Sequence, residues 1–144
     1  MTRIDFYFNV SNKPKLLAEL VETAIAKHRQ VVVLAPDDAM AKRVSDYLWQ
    51  ENATCFLPNS YANHLHAARS PVVIGLQGSD LDASFKHDDM LINLASNEPS
   101  IFSRFTQLVE MVGDEEGDKL AARTRYKFYR DRGYDIKNIN CEKY

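Results

Sequence analysis

Residues Arg3 to Val10 alternate, with Ile4, Phe6 and Phe8 set against Asp5 and Tyr7, which predicts a strand with one buried face. Ser11-Asn12 then offers capping side chains and Pro14 suits a first helical turn. Leu16, Leu17, Leu20, Val21, Ala24 and Ile25 recur at helical spacing, so a helix is expected up to Arg29. Val31 to Ala35 is uniformly apolar and rich in β-branched residues, the pattern of a central strand covered on both faces in a parallel sheet. Pro36-Asp37-Asp38 predicts the start of a second helix, in which Ala41, Val44, Leu48 and Trp49 repeat every three or four residues.

A third strand is expected over Thr54 to Leu57, ended by turn chemistry at Pro58-Asn59-Ser60. Tyr61 to Arg69 is polar without a clear period, Pro71 to Gly75 reads as a short apolar strand, and Gly78 to Lys86 as a loop. Asp89 to Leu94 predicts another buried strand, Glu98 to Phe102 a short helix or turn, and Gln107 to Val112 the last strand. Asp118 to Gly133 closes the series as a helix. Alternation of strands and helices argues for a Rossmann-like α/β fold of three layers, a mainly parallel central sheet flanked by helices, with right-handed crossovers at least in the first half.

The final helix changes the picture once charge is considered. From Lys119 to Arg132 there are six basic residues and one acid, a local charge of +5 that leaves −7 on the rest of a chain whose total is −2. At about 100° per residue, Lys119, Arg123, Tyr126, Lys127 and Arg130 fall on one stripe, and Leu120, Ala121, Thr124 and Phe128 on the other side. A cationic, ring-bearing face is the surface that an anionic partner needs. Arginine forks bind carboxylates bidentately and neighbouring rings add apolar contact.

Length and composition narrow the classes further. The 144 residues suit one domain, 1–144, and 45% hydrophobic with 26% charged residues is the balance of a soluble globular protein. No apolar run approaches a membrane span of about 20 residues, and the start of the chain does not resemble a signal peptide, so a cytoplasmic location is expected. There Cys55 and Cys141, in no metal-type spacing, read as ordinary reduced thiols.

Catalytic and cofactor signals are weak. The first strand-to-helix turn, Val10-Ser11-Asn12-Lys13-Pro14, lacks the glycines that let backbone amides approach a pyrophosphate, and Gly75 and Gly78 match no phosphate-binding fingerprint. A bound mononucleotide stays open as the lesser alternative. His64, His66 and Cys55 have no zinc-ligand spacing, and Asp80, Asp82, Asp88 and Asp89 read as solvated loop acids. No Gly-x-Ser-x-Gly elbow is present. No catalytic residue, metal or cofactor is expected. Tyr47-Leu48-Trp49 and Phe56-Leu57-Pro58 supply large rings that read either as core or, if exposed, as a partner site.

With these motifs in place, the chain resembles the chi subunit of bacterial DNA polymerase III over nearly its whole length. The resemblance rests on Asp5-Phe6-Tyr7-Phe8, Val31 to Ala35, Tyr47-Leu48-Trp49, Phe56-Leu57-Pro58 and Asp89 to Leu94. The most specific part is Ala122-Arg123-Thr124-Arg125-Tyr126-Lys127-Phe128-Tyr129-Arg130 followed by Gly133-Tyr134. It implies a non-catalytic adaptor of the replisome, in DNA replication and repair; direct binding of nucleic acid by the basic helix is the second reading, opposed by the −7 carried outside it. One implied partner is the acidic C-terminal tail of single-stranded DNA-binding protein, which ends in Pro-Phe and would be received by Val112, Lys119, Arg123, Tyr126, Lys127 and Arg130. The other is the psi subunit of the clamp loader, met at Trp49, Phe56 and Pro58; in some members a helicase-like protein competes for that surface. The acidic, glycine-bearing segment Val112 to Gly117 and the loop from Tyr61 to Arg69 depart from the family pattern.

Overall fold

The computed structural model describes residues 2–50, 59–61, 72–76, 89–94 and 105–141. Its elements in chain order are β1 (Arg3–Phe8), α1 (Lys13–Ala26), β2 (Val31–Ala35), α2 (Asp38–Gln50), β3 (Asn59–Tyr61), β4 (Val72–Leu76), β5 (Met90–Asn93), β6 (Gln107–Met111), α3 (Glu116–Asp131) and β7 (Ile136–Asn140). Among the described residues the seven strands form one sheet in the order β3-β4-β2-β5-β6-β1-β7, every pairing parallel. The α/β fold expected from the alternation is thereby observed.

Side-chain alternation along the strands divides the core in two. Val31, Val33, Met90, Ile92, Val109 and Met111 face α1 and α2, through Leu17, Val21, Ala41 and Val44. Ile4, Phe6, Val32, Leu34, Leu91 and Leu108 point to the opposite face, where α3 contributes Ala122 and Tyr129. Because both faces are covered, β2 is buried at all five positions, as its unbroken apolar run predicts.

Local chemistry sets the element boundaries. Asn12 caps α1 by accepting the Lys15 amide at 3.2 Å, and Asp37 does the same at the start of α2 for the Met40 amide at 2.8 Å. Helix α1 ends at Ala26, short of the expected Arg29, because Lys27 already caps it and His28 turns left-handed at φ 58°. Helix α3 likewise stops at Asp131. Gly133 takes φ 84°, and the Gly133 and Tyr134 amides fold back on the Arg130 and Tyr129 carbonyls at 3.0 and 3.2 Å, which terminates the helix.

Two strands depart from the sequence reading. Asn59 to Tyr61, expected as part of a turn and the loop after it, forms the edge strand β3, paired to Val72–Ile74 of β4. Its turn-prone residues sit in a strand because the neighbouring strand supplies ladder bonds that outweigh local preference. Strand β7 was not expected at all. Ile136-Lys137-Asn138-Ile139-Asn140 has no strict alternation, and only its pairing with β1 makes it a strand. The expected strand at 54–57 and the short element at 98–102 lie outside the described residues.

Candidate functional site

Helix α3 has fewer buried positions than its length suggests: Ala122, Arg125 and Tyr129. This corrects the helical face drawn from the sequence. Leu120, assigned to the apolar side, is 58% exposed, Thr124 is exposed, and Phe128 is half-buried. Arg125, one of the six cations of the helix and placed on neither side by the sequence reading, is buried.

The cause lies on β6. Glu110, in the row Leu34, Asn93, Glu110, Phe6 that register aligns across the sheet, is fully buried on the face that α3 covers. Its carboxylate receives the Tyr129 hydroxyl at 2.6 Å and the Asn93 amide at 3.0 Å, and lies 3.2 Å from the Arg125 Nε. A carboxylate without such partners is too costly to bury, so this cluster fixes the rotation of α3. Burial pushes the Glu110 pKa up from 4.5 to about 7, against the opposing pull of Arg125, Tyr129 and Asn93. That rotation turns Lys119, Arg123 and Tyr126 towards β1 and β7.

Between the helix and those strands runs a groove of about 230 Å³, lined by Phe6, Phe8, Asn9, Val112, Gly113, Lys119, Ala122, Arg123, Tyr126 and Asn138. Its floor is apolar and ring-rich. The Tyr126 ring meets Phe6 edge-on with centroids 5.3 Å apart, and its hydroxyl accepts a long bond of 3.5 Å from Asn138 Nδ2. Two cations stand at the rim: Arg123 is exposed, and Lys119 is half-buried, 3.9 Å from Glu116.

The groove's upper end is shaped by the start of α3. Asp118 accepts the Gly113 amide at 2.6 Å and the Lys13 ammonium at 2.8 Å. Burial alone would push its pKa up, but Lys13 and the Gly113 amide outweigh it and hold the carboxyl below its ordinary value. A Cβ at Gly113 would stand 3.1 Å from that carboxylate oxygen, so the tight approach favours glycine there.

Of the residues singled out from the sequence, Val112, Lys119, Arg123 and Tyr126 line this one groove. Lys127 and Arg130 are exposed on the same helix without lining it, and Arg130 lies 3.7 Å from Asp131. Trp49 belongs to α2 by its backbone; Phe56 and Pro58, like His64, His66, Cys55, Asp80, Asp82 and Asp88, lie outside the described residues. Sequence reasoning missed Phe6, Phe8 and Asn138 as groove residues. The alternation in β1 marks the two Phe residues as sharing a face, but only the unforeseen β7 brings Asn138 beside them. Cys141 is a buried free thiol, its pKa raised by burial and by the Glu19 carboxylate. Among the described residues no group of three or more His, Cys, Asp or Glu is placed to hold a metal ion, and no helix is long and apolar enough to cross a membrane.

Comparison of the sequence with known proteins identifies a family. The family model described as the DNA polymerase III chi subunit matches residues 1–137. The DNA polymerase III subunit chi of Pseudomonas aeruginosa is 32% identical over 142 residues, covering 96% of each chain. That of Escherichia coli is 28% identical over 122 residues, covering 85% of this chain and 81% of its own. That of Haemophilus influenzae is 27% identical over 112 residues, covering 78% and 76%. The match runs from β1 through α3, so the groove's floor and its cationic rim both fall inside it, and the chain belongs to the DNA polymerase III chi subunit family.

Proposed function

We propose that this chain is a non-catalytic, cytoplasmic adaptor, folded as one domain over residues 1–144, that joins the clamp loader to single-stranded DNA-binding protein. The reading is carried by the groove beneath α3, in which an apolar floor of Phe6, Phe8, Val112, Ala122 and Tyr126 is overlooked by Lys119 and Arg123. An acidic tail ending in Pro-Phe has the complementary chemistry. Its terminal ring suits the floor, its free carboxylate suits an arginine fork, and the acids before it suit the outer cations Lys127 and Arg130.

Clamp-loader attachment is assigned to a psi-type subunit meeting Trp49, Phe56 and Pro58, a region in which a helicase-like protein would compete. A single tail is expected to bind in the micromolar range. Single-stranded DNA coated with many tails raises the effective concentration, so retention comes from avidity.

Direct binding of nucleic acid by the chain is not part of this reading, because the body outside the basic stretch carries −7 and opposes an extended polyanion. Parallel titrations with an acidic tail peptide and with bare single-stranded DNA test it. Micromolar affinity for the peptide with little for the DNA supports the adaptor. The reverse order would make the cationic helix a nucleic-acid surface.

A further inference from the structure

Strand β7 is one edge of the sheet, and its inward bonding can be read from two hydrogen bonds. Ile4 donates to the Asp135 carbonyl at 3.0 Å and Cys141 donates to the Phe8 carbonyl at 2.9 Å. In a parallel ladder with Ile4 opposite Ile136 and Phe6 opposite Asn138, residues 135, 137, 139 and 141 therefore bond to β1. The backbone amides and carbonyls of Ile136 and Asn138 point the other way, to an edge on which no strand pairs among the described residues. Lys137 and Asn138 are exposed there.

This edge runs beside the cationic stripe of α3. Lys119, Arg123 and Arg130 are separated by four and seven residues and share one side of the helix, with Tyr126 between them reaching Asn138 of β7. From Lys119 to Arg130 the helix advances about 16 Å at about 1.5 Å per residue. Five residues of β7, at about 3.3 Å each, also cover about 16 Å. A row of cations and a strand edge whose Ile136 and Asn138 backbone groups face no paired strand among the described residues thus extend side by side for the same distance, and the groove opens between them at the carboxyl end of the strands, near Phe8, Asn9 and Val112.

We infer that an acidic peptide tail binds here as an eighth strand, parallel to β7, with its C-terminal ring in the groove and its acidic side chains turned towards α3. The inference rests on the adaptor reading above and adds a backbone-pairing mode to it. Direction follows from the position of the groove: a chain whose last residue lies at the carboxyl end of the sheet and whose earlier residues pass Arg123 and then Arg130 runs parallel to β1 and β7. Main-chain bonds would then supply affinity that does not depend on side chains, and the cations would select for acids.

The test uses the full chain and a synthetic acidic tail peptide of about eight residues ending in Pro-Phe, with backbone N-methyl groups placed at single positions in turn. Strand pairing predicts a loss of at least tenfold at alternate positions and a change below threefold at those between, with slowed hydrogen exchange at the Ile136 and Asn138 amides when peptide is bound. Asn138→Pro removes an outward donor without touching a bond to β1 and is expected to bind at least tenfold more weakly than Asn138→Ala, which loses the same side chain but keeps the donor. Thermal melts accompany both variants, and the peptide series stands even if the proline variant fails to fold.

If the unmodified peptide binds but every N-methyl position is tolerated and neither amide is protected, edge pairing is overturned and the adaptor reading stands. If the unmodified peptide does not bind, both fall. Protection of the two amides that grows with protein concentration in the absence of peptide would assign the edge to a second copy of the chain, which also overturns the proposal.

Discussion

Replacing Arg125 with methionine removes the charge that faces Glu110 in the core and leaves a carboxylate that is wholly buried. Breaking a buried pair by deleting one partner costs about 3–5 kcal/mol, because the remaining charge keeps its desolvation penalty. The loss should depend on pH in a defined way. Glu110 has a folded-state pKa of about 7 against 4.5 for the free group, so the folded protein binds the extra proton between these values. Stability therefore falls as pH rises from about 4.5 to about 7, by up to about 1.4 kcal/mol per pH unit and about 3 kcal/mol in all. Well below about 7 the folded-state carboxyl is neutral, and the ion pair has already lost most of its Coulomb part. Arg125→Met is accordingly expected to lose about 3–5 kcal/mol at pH 8 and less than about half of that at pH 5. Urea unfolding at a series of pH values measures both. Glu110→Gln keeps an acceptor for Tyr129 and deletes the titrating group, so the pH slope between 4.5 and 7 should vanish in that variant. A loss below about 1 kcal/mol at pH 8, or one equal at pH 5 and pH 8, would refute the view that this cluster holds α3 in place.

Three further outcomes bear on the partners. Arg123→Ala should weaken binding of an acidic tail peptide by about 1.5–3 kcal/mol, read by calorimetry, with unchanged unfolding because the side chain is exposed. Wild-type affinity in that variant would remove the cationic rim from the site. Tail affinity should also fall steeply with added salt, since about 0.15 M ionic strength limits surface charges to a reach of about 8 Å; an affinity that ignores salt would point to a mainly apolar groove. Trp49→Ala or Phe56→Ala should cost about 2 kcal/mol or more in binding a co-expressed psi-type subunit while tail binding persists. Loss of both partners together with cooperative unfolding would return these rings to the core.

What the sequence made visible follows from where the physics is local. Val31 to Ala35 announces a central strand because burial on both faces demands an unbroken apolar run, and Asn12 and Asp37 announce helix starts because capping is decided within a few residues. Strands β3 and β7 are edges whose conformation is imposed by Val72–Ile74 and by Ile4–Phe8 across the sheet, so no local pattern declares them. The groove was half visible for the same reason. Its α3 side follows from helical periodicity, whereas Phe6, Phe8 and Asn138 join it only through strand order.

The misplaced face of α3 shows what periodicity leaves out. Apolar counting put Leu120 inwards and gave no inward place to Arg125, on the premise that charge faces water. The premise fails because Glu110 sits beneath the helix and needs a positive partner that no apolar residue can supply. A helix on which Arg123, Lys127 and Arg130 are exposed and Lys119 is half-buried has few positions left for burial, and the observed ones are Ala122, Arg125 and Tyr129. Apolar burial of one alanine and one tyrosine defines the rotation of a helix poorly. The Tyr129 hydrogen bond and the Arg125 ion pair to a single buried carboxylate define it well, because a turn of even one residue would break both. The buried polar cluster and the exposed cationic stripe are thus two sides of one requirement: the first orients the second towards β1 and β7, where the groove lies.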